Sequence, residues 1–220
     1  MIASRLLWVL TVGYLFLYEA GSCQAVTVGF LSDFEDNTIQ SWTNGSSGPD
    51  PLNINTGGPL GVNDNFLQIT ADGSGSVGKL TSFSTSSNWL GNYISAGVTA
   101  IEMDLKNFGT TALSIRIAFK TGSSGYSTTT GFALAADNSW HHASFAVSAA
   151  AMTGISGPGT FNTFMTNPGQ MRILHSASPS LNGDTLVSQL GVDNIRAVPE
   201  SGMALLSMLT GACLLLRRKR

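Results

Sequence analysis

The chain has 220 residues, with 11 Lys and Arg side chains against 13 Asp and Glu and a formal net charge of −2 at pH 7. In the central part, residues 26–196, six cations face eleven acids, and the resulting net charge of −5 excludes the basic footprint of a protein that binds nucleic acid or anionic lipid. Both cysteines, Cys23 and Cys213, lie outside this part, which excludes disulfide bonds, a thiolate nucleophile and a zinc–thiolate site there.

The first 25 residues have the three-part pattern of a secretory signal peptide. One cation precedes an apolar run of 13 residues, Leu6 to Tyr18, and the segment that follows is small and polar up to Ala25. The run is shorter than the ~20 residues that a membrane-spanning helix needs. We therefore predict export with cleavage after Ala25; cleavage after Ser22, which would expose Cys23 for lipid attachment, is the alternative.

The central part alternates apolar and polar residues over short segments separated by turn residues, a pattern typical of strands. The predicted strands are 26–34, 66–70, 101–106, 113–120, 126–134, 140–147, 171–176 and 187–197. Helical periodicity is limited to one or two turns near 149–152 or 160–165. The sequence therefore predicts an all-β domain, an antiparallel two-sheet β-sandwich of the jelly-roll type.

The clearest alternation is in the segments 101–106 and 113–120. Because only six residues connect them, we expect the two to pair as an antiparallel hairpin. Shifting either strand by one residue would turn Glu102, Arg116 or Lys120 toward the core, so the register should be strongly specified.

The two ends of the central part resemble a known family. Phe34-Glu35-Asp36 with Trp42, and Val192-Asp193-Asn194-Ile195, look like the first and last strands of jelly-roll carbohydrate-binding modules. In those modules an acidic residue near the first strand and an Asp on the last strand often hold a structural calcium ion. The resemblance implies that Glu35 and Asp193 are its ligands here. The alternative is that Glu35 lies in a solvated turn and Asp193 accepts hydrogen bonds from backbone amides.

Aromatic rings form the sugar platforms of such modules. Trp89 and Tyr93 flank Gly91-Asn92 in a predicted loop; core packing or loop anchoring is the favoured role for both rings, and they are also the candidate glycan contacts.

Two other motifs predict no chemistry, and a third motif, that of a serine hydrolase, is absent. Residues 73–78 match GxGxxG, but strand and loop, not a helix, are predicted after them, so a flexible turn is expected. His141 and His142 would point to opposite faces of a strand and cannot jointly bind one ion there. No GxSxG elbow is present, and we assign no catalytic residue.

The last stretch of the chain has three parts. A head of Pro199, Glu200 and Ser201 precedes an apolar run of 15 residues, 202–216. The run ends in a basic cluster of Arg217, Arg218, Lys219 and Arg220. As a helix the run would span roughly 22 Å, short of the ~30 Å bilayer core, so the flanking cations would need to snorkel. A buried core helix with a basic end is the alternative.

This order, with the motif Val198, Pro199 and Glu200, resembles the PEP-CTERM sorting signal of exported bacterial proteins, whose usual head is Pro-Glu-Pro. The resemblance implies recognition by the export machinery and by an exosortase. It also implies an inner-membrane anchor before processing and a final place at the cell surface or outside the cell.

Together these patterns predict a signal peptide (1–25), a β-sandwich domain (26–196) and a sorting signal (197–220). The favoured hypothesis is an envelope or extracellular-matrix protein, not an enzyme, whose body binds polysaccharide. One alternative is a secreted hydrolase, which would need two carboxylates about 5–9.5 Å apart in a cleft. A structural protein without a ligand is the other.

Overall fold

A computed structural model describes residues 26–45, 48–75 and 78–200. The predicted signal peptide and the apolar and basic parts of the sorting signal lie outside the described residues. Within the described ranges, no helix is long and apolar enough to cross a bilayer.

The regular elements of the described residues are strands, apart from one short helix, α1 (Phe161–Phe164). The first strands are β1 (Leu31–Ser32), β2 (Trp42–Thr43), β3 (Leu52–Ile54), β4 (Phe66–Asp72), β5 (Thr81–Ser84), β6 (Val98–Asn107) and β7 (Leu113–Thr121). The remaining strands are β8 (Ser124–Thr128), β9 (Phe132–Leu134), β10 (Trp140–Ala146), β11 (Met152–Ile155), β12 (Gln170–His175) and β13 (Val187–Pro199).

The strands make two antiparallel sheets. Sheet A has the order β10-β6-β13-β4-β3, with β1 also paired to β13. Sheet B has the order β11-β8-β7-β12-β5-β2, with β9 also paired to β7. The two ends of the domain are thus neighbours, since Leu31 pairs with Arg196. This arrangement confirms the predicted all-β, two-sheet sandwich.

One hydrophobic core lies between the sheets. On β6 the side chains of Ile101, Met103 and Leu105 are fully buried, whereas the alternate residues face outward and are partly exposed. Leu113, Ile115, Ile117 and Phe119 on β7 also join this core. Burial of each such side chain stabilises the fold by about 1.5–3 kcal/mol.

The predicted hairpin between 101–106 and 113–120 is wrong. Strand β6 pairs with β10 and β13 in sheet A, and β7 pairs with β8, β9 and β12 in sheet B. The connection crosses from one sheet to the other, which lie roughly 10 Å apart in sandwiches. Both strands therefore turn their apolar faces toward the same core from opposite sides.

Smaller differences concern element bounds. The single strand predicted over 126–134 is two strands, β8 and β9, and the first strand is only two residues long. Of the two segments where one or two helical turns are predicted, 160–165 contains α1, capped by the Thr160 hydroxyl, which accepts from the Thr163 amide at 3.3 Å. The segment 149–152 is a turn that leads into β11. Strand β13 runs past Arg196, so Val198 and Pro199 of the predicted sorting motif pair with β6.

Candidate functional site

The predicted glycan contacts belong to the core. Trp89 and Tyr93 are fully buried. The Tyr93 hydroxyl donates to the Trp89 carbonyl oxygen at 2.6 Å, and its ring packs edge-on against Phe119 at 4.7 Å between centroids. Neither ring reaches the surface, so core packing is confirmed for both, and the candidate role as glycan contacts is wrong.

The predicted calcium ligands are electrostatic neighbours. Asp193 is buried on β13, and burial raises its pKa to about 8; the charges of Asp64, Asp104 and Glu35 add to this, while the Asn194 amide opposes it. Glu35 lies in the turn after β1, where its Oε1 accepts from the Asn65 amide at 2.7 Å.

The geometry of this acidic cluster is only partly that of a metal site. Both Asp193 oxygens accept from Asn194, at 2.7 Å from the backbone amide and 3.2 Å from the side chain. Among the described residues, no three His, Cys, Asp or Glu side chains converge as a ready ligand set. A cation there would need backbone carbonyl oxygens besides the two predicted carboxylates.

A separate site that the sequence patterns did not indicate lies on the outer face of sheet B. Cross-strand pairing puts Thr43, Phe83, Arg172 and Ala118 in one row across β2, β5, β12 and β7. A cavity of about 310 Å³ opens over this row. We call it the sheet B groove; its lining residues are Asn44, Lys79, Thr81, Phe83, Lys120, Arg172 and Asn182.

The connection between β12 and β13 forms one wall of the sheet B groove. Leu181 from this connection packs on Ala118 and Leu174 of the outer face. A glycine at position 125 permits this, since a Cβ there would lie 2.8 Å from Leu181 Cδ2. The wall therefore rests on a small apolar cluster outside the main core.

Arg172 ties the floor of the groove to that wall. Its Nη1 donates to the Leu181 carbonyl oxygen at 2.9 Å and to Asn182 Oδ1 at 3.4 Å, and its Nε and Nη2 donate to Gln170 Oε1 at 3.0 and 2.8 Å. The guanidinium also lies over the Phe83 ring. Arg172 is only 8% exposed, and burial lowers its pKa.

Two polar atoms of the groove are unsatisfied. Asn44 Oδ1 and Thr81 Oγ1 are both buried and have no hydrogen-bond partner within the described ranges. The Asn44 amide nitrogen, by contrast, donates to the Pro49 carbonyl oxygen at 2.6 Å, which fixes the orientation of the side chain. Buried polar atoms in folded proteins nearly always have partners, so these two are candidates for contact with a ligand.

The other residues that the sequence singled out make local contacts. His141 Nε2 lies 2.9 Å from Asp137, and His142 Nδ1 lies 2.9 Å from Asp104 on the outer face of sheet A. After the glycines at 73, 75 and 78 the chain continues as a short bridge and β5, without the helix that a dinucleotide site requires.

No family model matches this chain, and no curated protein matches it in sequence. Among solved structures, an exo-β-agarase matches 77% of the chain at 10% identity with a TM-score of 0.54. This chain spans about a quarter of that protein, 24% of its length. The match shows a shared sandwich fold.

Two carbohydrate-binding modules are matched more completely but less closely. A family 11 module from Clostridium thermocellum, solved with a β-1,3-1,4-mixed-linked tetrasaccharide, has 14% identity and a TM-score of 0.49 over 77% of this chain and 94% of its own. A CBM28 module specific for non-crystalline cellulose has 16% identity and a TM-score of 0.47 over 79% and 95%.

Proposed function

We propose that the folded body binds polysaccharide through the sheet B groove. The observation that carries this proposal is the pair of unsatisfied acceptors, Asn44 Oδ1 and Thr81 Oγ1, in a cavity that also holds the partly exposed ring of Phe83. Sugars present hydroxyl groups that both donate and accept, together with apolar C–H faces. A groove that combines orphan polar atoms with an aromatic ring is suited to both features.

The Thr81 hydroxyl offers the sharpest test. Thr81→Val keeps the shape of the side chain and removes an oxygen that has no partner in the protein, so stability should not fall. Thr128→Val is the matched control, because Thr128 Oγ1 is also buried and unsatisfied but lies outside the sheet B groove, at a second cavity of about 370 Å³. The pair of variants therefore also distinguishes the two cavities.

Retention would be measured by affinity electrophoresis of the full-length chain, in a neutral detergent, through gels containing neutral or acidic polysaccharides. We expect Thr81→Val to weaken retention about five- to tenfold and Thr128→Val to leave it unchanged. No retention by any polysaccharide, or equal retention of the two variants, would refute the proposal.

Binding is favoured over hydrolysis by the lining of the groove. No carboxylate is among the described residues that line it, and none lines a second cavity of about 370 Å³ at Thr128–Phe132, Ser144–Ala146 and Ala150–Ala151. A hydrolase would need paired carboxylates in such a cleft.

We also propose a structural calcium ion between Glu35 and Asp193. The support is electrostatic. Asp193 is buried near three other acidic residues, so ionising it is costly in free energy. A divalent cation bound there would offset that cost. Glu35 and Asp193 would hold the ion, and its effect would be to fix the turn after β1 against β13.

For residues outside the described ranges we propose the sorting steps that the sequence predicts. These are export, transient membrane anchoring through residues 202–216, and cleavage by an exosortase, after which the protein lies in the envelope or outside the cell. Intact-mass measurement of the exported protein tests this directly. Loss of residues 1–25 and of the C-terminal segment is the expected result, and a full-length mass would refute it.

A further inference from the structure

The sheet B groove brings together cations that have no carboxylate partner among the described residues. Lys79, Lys120 and Arg172 line the same cavity and make up half of the six Lys and Arg side chains in residues 26–200. These cations are concentrated in a domain whose overall charge is negative. Like charges brought together in this way destabilise a protein unless something neutralises them.

No carboxylate of the described residues neutralises the groove. The ion pairs among the described residues lie outside the groove and none of them involves a groove cation. They are His141–Asp137, His142–Glu102, His142–Asp104 and Arg196–Glu102. Asp184 and Asp50 lie nearest along the chain, but the Asp184 carboxylate accepts from the Ser176 hydroxyl at 3.0 Å and the Ala177 amide at 2.8 Å. The Asp50 Oδ1 accepts from the Thr43 hydroxyl at 2.7 Å and the Asn44 amide at 3.3 Å.

In the groove, the Arg172 guanidinium is hydrogen-bonded only to neutral acceptors. Every hydrogen bond that Arg172 donates goes to an amide or carbonyl oxygen, of Gln170, Leu181 or Asn182. A guanidinium so buried usually pairs with an anion, since desolvation of an unpaired charge is costly. Burial, and then the charge of Arg172, also lowers the pKa of Lys120, which indicates that the two cations interact.

From this geometry we propose that the ligand of the sheet B groove is an anionic glycan, recognised through its carboxylate or sulfate groups by Lys79, Lys120 and Arg172. This rests on the proposed polysaccharide function and names its substrate class. Phe83, Asn44 and Thr81 would contact the sugar ring and its hydroxyls, and the three cations would contact its charge. Hydrogen bonds between ionised partners are about twice as strong as neutral ones.

The negative charge of the whole domain disfavours nonspecific binding of anionic polymers. A net charge of −5 over residues 26–196 opposes nonspecific adsorption of the domain to polyanions. The basic cluster at residues 217–220 is common to all variants, so the difference between variants, and not retention itself, reports the groove cations. Binding should weaken as salt screens these charges over a Debye length of about 10 Å at 0.1 M.

The experiment uses the full-length chain in neutral detergent and four polymers: polygalacturonate as the carboxylated probe, dextran sulfate as the sulfated probe, and dextran and agarose as neutral ones. The test variants are Lys120→Gln and Lys79→Gln. Lys106→Gln is the matched control because it removes the same charge from the outer face of sheet A, where Lys106 lies over Phe108.

We expect retention by one or both anionic polymers, weaker binding of each test variant by about tenfold at low salt, and no change in Lys106→Gln. The polymer that is retained distinguishes carboxylate from sulfate recognition. Retention by the neutral polymers alone, or retention by an anionic polymer that is unchanged or equally reduced in all three variants, overturns this proposal while leaving polysaccharide binding in place. Retention by none of the four overturns both.

Discussion

The Arg172 guanidinium carbon lies 5.0 Å from the centroid of the Phe83 ring on the outer face of sheet B. Their strands, β12 and β5, pair directly at these two residues. The guanidinium is held in place by hydrogen bonds to Gln170 and to the β12–β13 connection. A charge and an aromatic face are thus presented together, already ordered before any ligand arrives.

Replacing Phe83 with Ala should weaken polysaccharide binding about tenfold, because contacts made by an aromatic ring contribute about 1–2 kcal/mol. The same substitution at Phe108, a partly exposed ring on sheet A that stacks on Phe66, is the control and should leave affinity unchanged. Affinity electrophoresis measures both. Unaltered retention of the Phe83 variant would remove the ring from the binding site.

Trp89 should matter for stability and not for binding. Trp89→Ala empties a fully buried site and should lower the free energy of unfolding by about 3–5 kcal/mol. Tyr93→Phe removes the hydrogen bond to the Trp89 carbonyl oxygen and should cost about 1–2 kcal/mol. Urea unfolding measures both losses of stability. Folded Tyr93→Phe should retain glycan binding unchanged, as expected for a core residue. A loss of binding without a loss of stability would contradict the core placement.

Asp193 should make the domain less stable as the pH rises. Its folded-state pKa of about 8 lies above the ordinary value of 3.8, so the folded state keeps a proton that the unfolded state has already released. The contribution of this group to stability is therefore greatest below pH 3.8, falls as the pH rises to about 8, and is level above that. Asp193→Asn should flatten this fall when melting is followed against pH in EDTA; an unchanged slope would contradict the assignment.

Calcium should reverse that loss. We expect added Ca²⁺ to raise the melting temperature of the native chain at pH 8, where Asp193 is ionised, and to have little effect on Glu35→Gln or Asp193→Asn. Asp137→Asn is the control, since that carboxylate is exposed and paired with His141. A shift equal in all four proteins would indicate a cation bound elsewhere.

Arg116 should be intolerant even of lysine. It is 4% exposed and donates to four backbone carbonyl oxygens, those of Ser176, Thr128, Thr129 and Ala177 at 2.6–3.0 Å. Lysine lacks the planar fork that reaches all four, so Arg116→Lys should cost about 2–3 kcal/mol in urea unfolding. Arg196→Lys, on the exposed pair with Glu102, should change stability by less than about 0.5 kcal/mol. Equal effects would contradict the structural role of Arg116.

Alternation along the chain was enough to predict most strands and the fold class, because it encodes which face of each strand is apolar. It does not encode which strand lies alongside. Ile101–Lys106 and Leu113–Lys120 have matching patterns and a short connection, yet they pair with different partners in opposite sheets. Short strands with little alternation, such as β2 and β3, are held by pairing to β5 and β4 and carry almost no local signal.

The site was less predictable than the fold for a related reason. Lys79, Lys120 and Arg172 come from three distant segments, and only the pairing of β5, β12 and β7 brings those segments side by side. The composition near Gly91 predicts a loop but does not show which way its rings point; Trp89 points inward and packs against Phe30 and Trp42. A cation in each of two predicted strands, at Lys120 and Arg172, was the available signal for the groove.

The wall of the sheet B groove is held by its main chain. Arg172 binds the carbonyl of Leu181, and Arg116 binds those of Ser176 and Ala177, so the start and the middle of the β12–β13 connection are attached through main-chain carbonyls. An exposed residue between these attachments, such as Ser178, can therefore be exchanged during evolution without loss of the wall. The loop offers a route by which descendants of this scaffold acquire new ligand preferences while the architecture beneath stays constant.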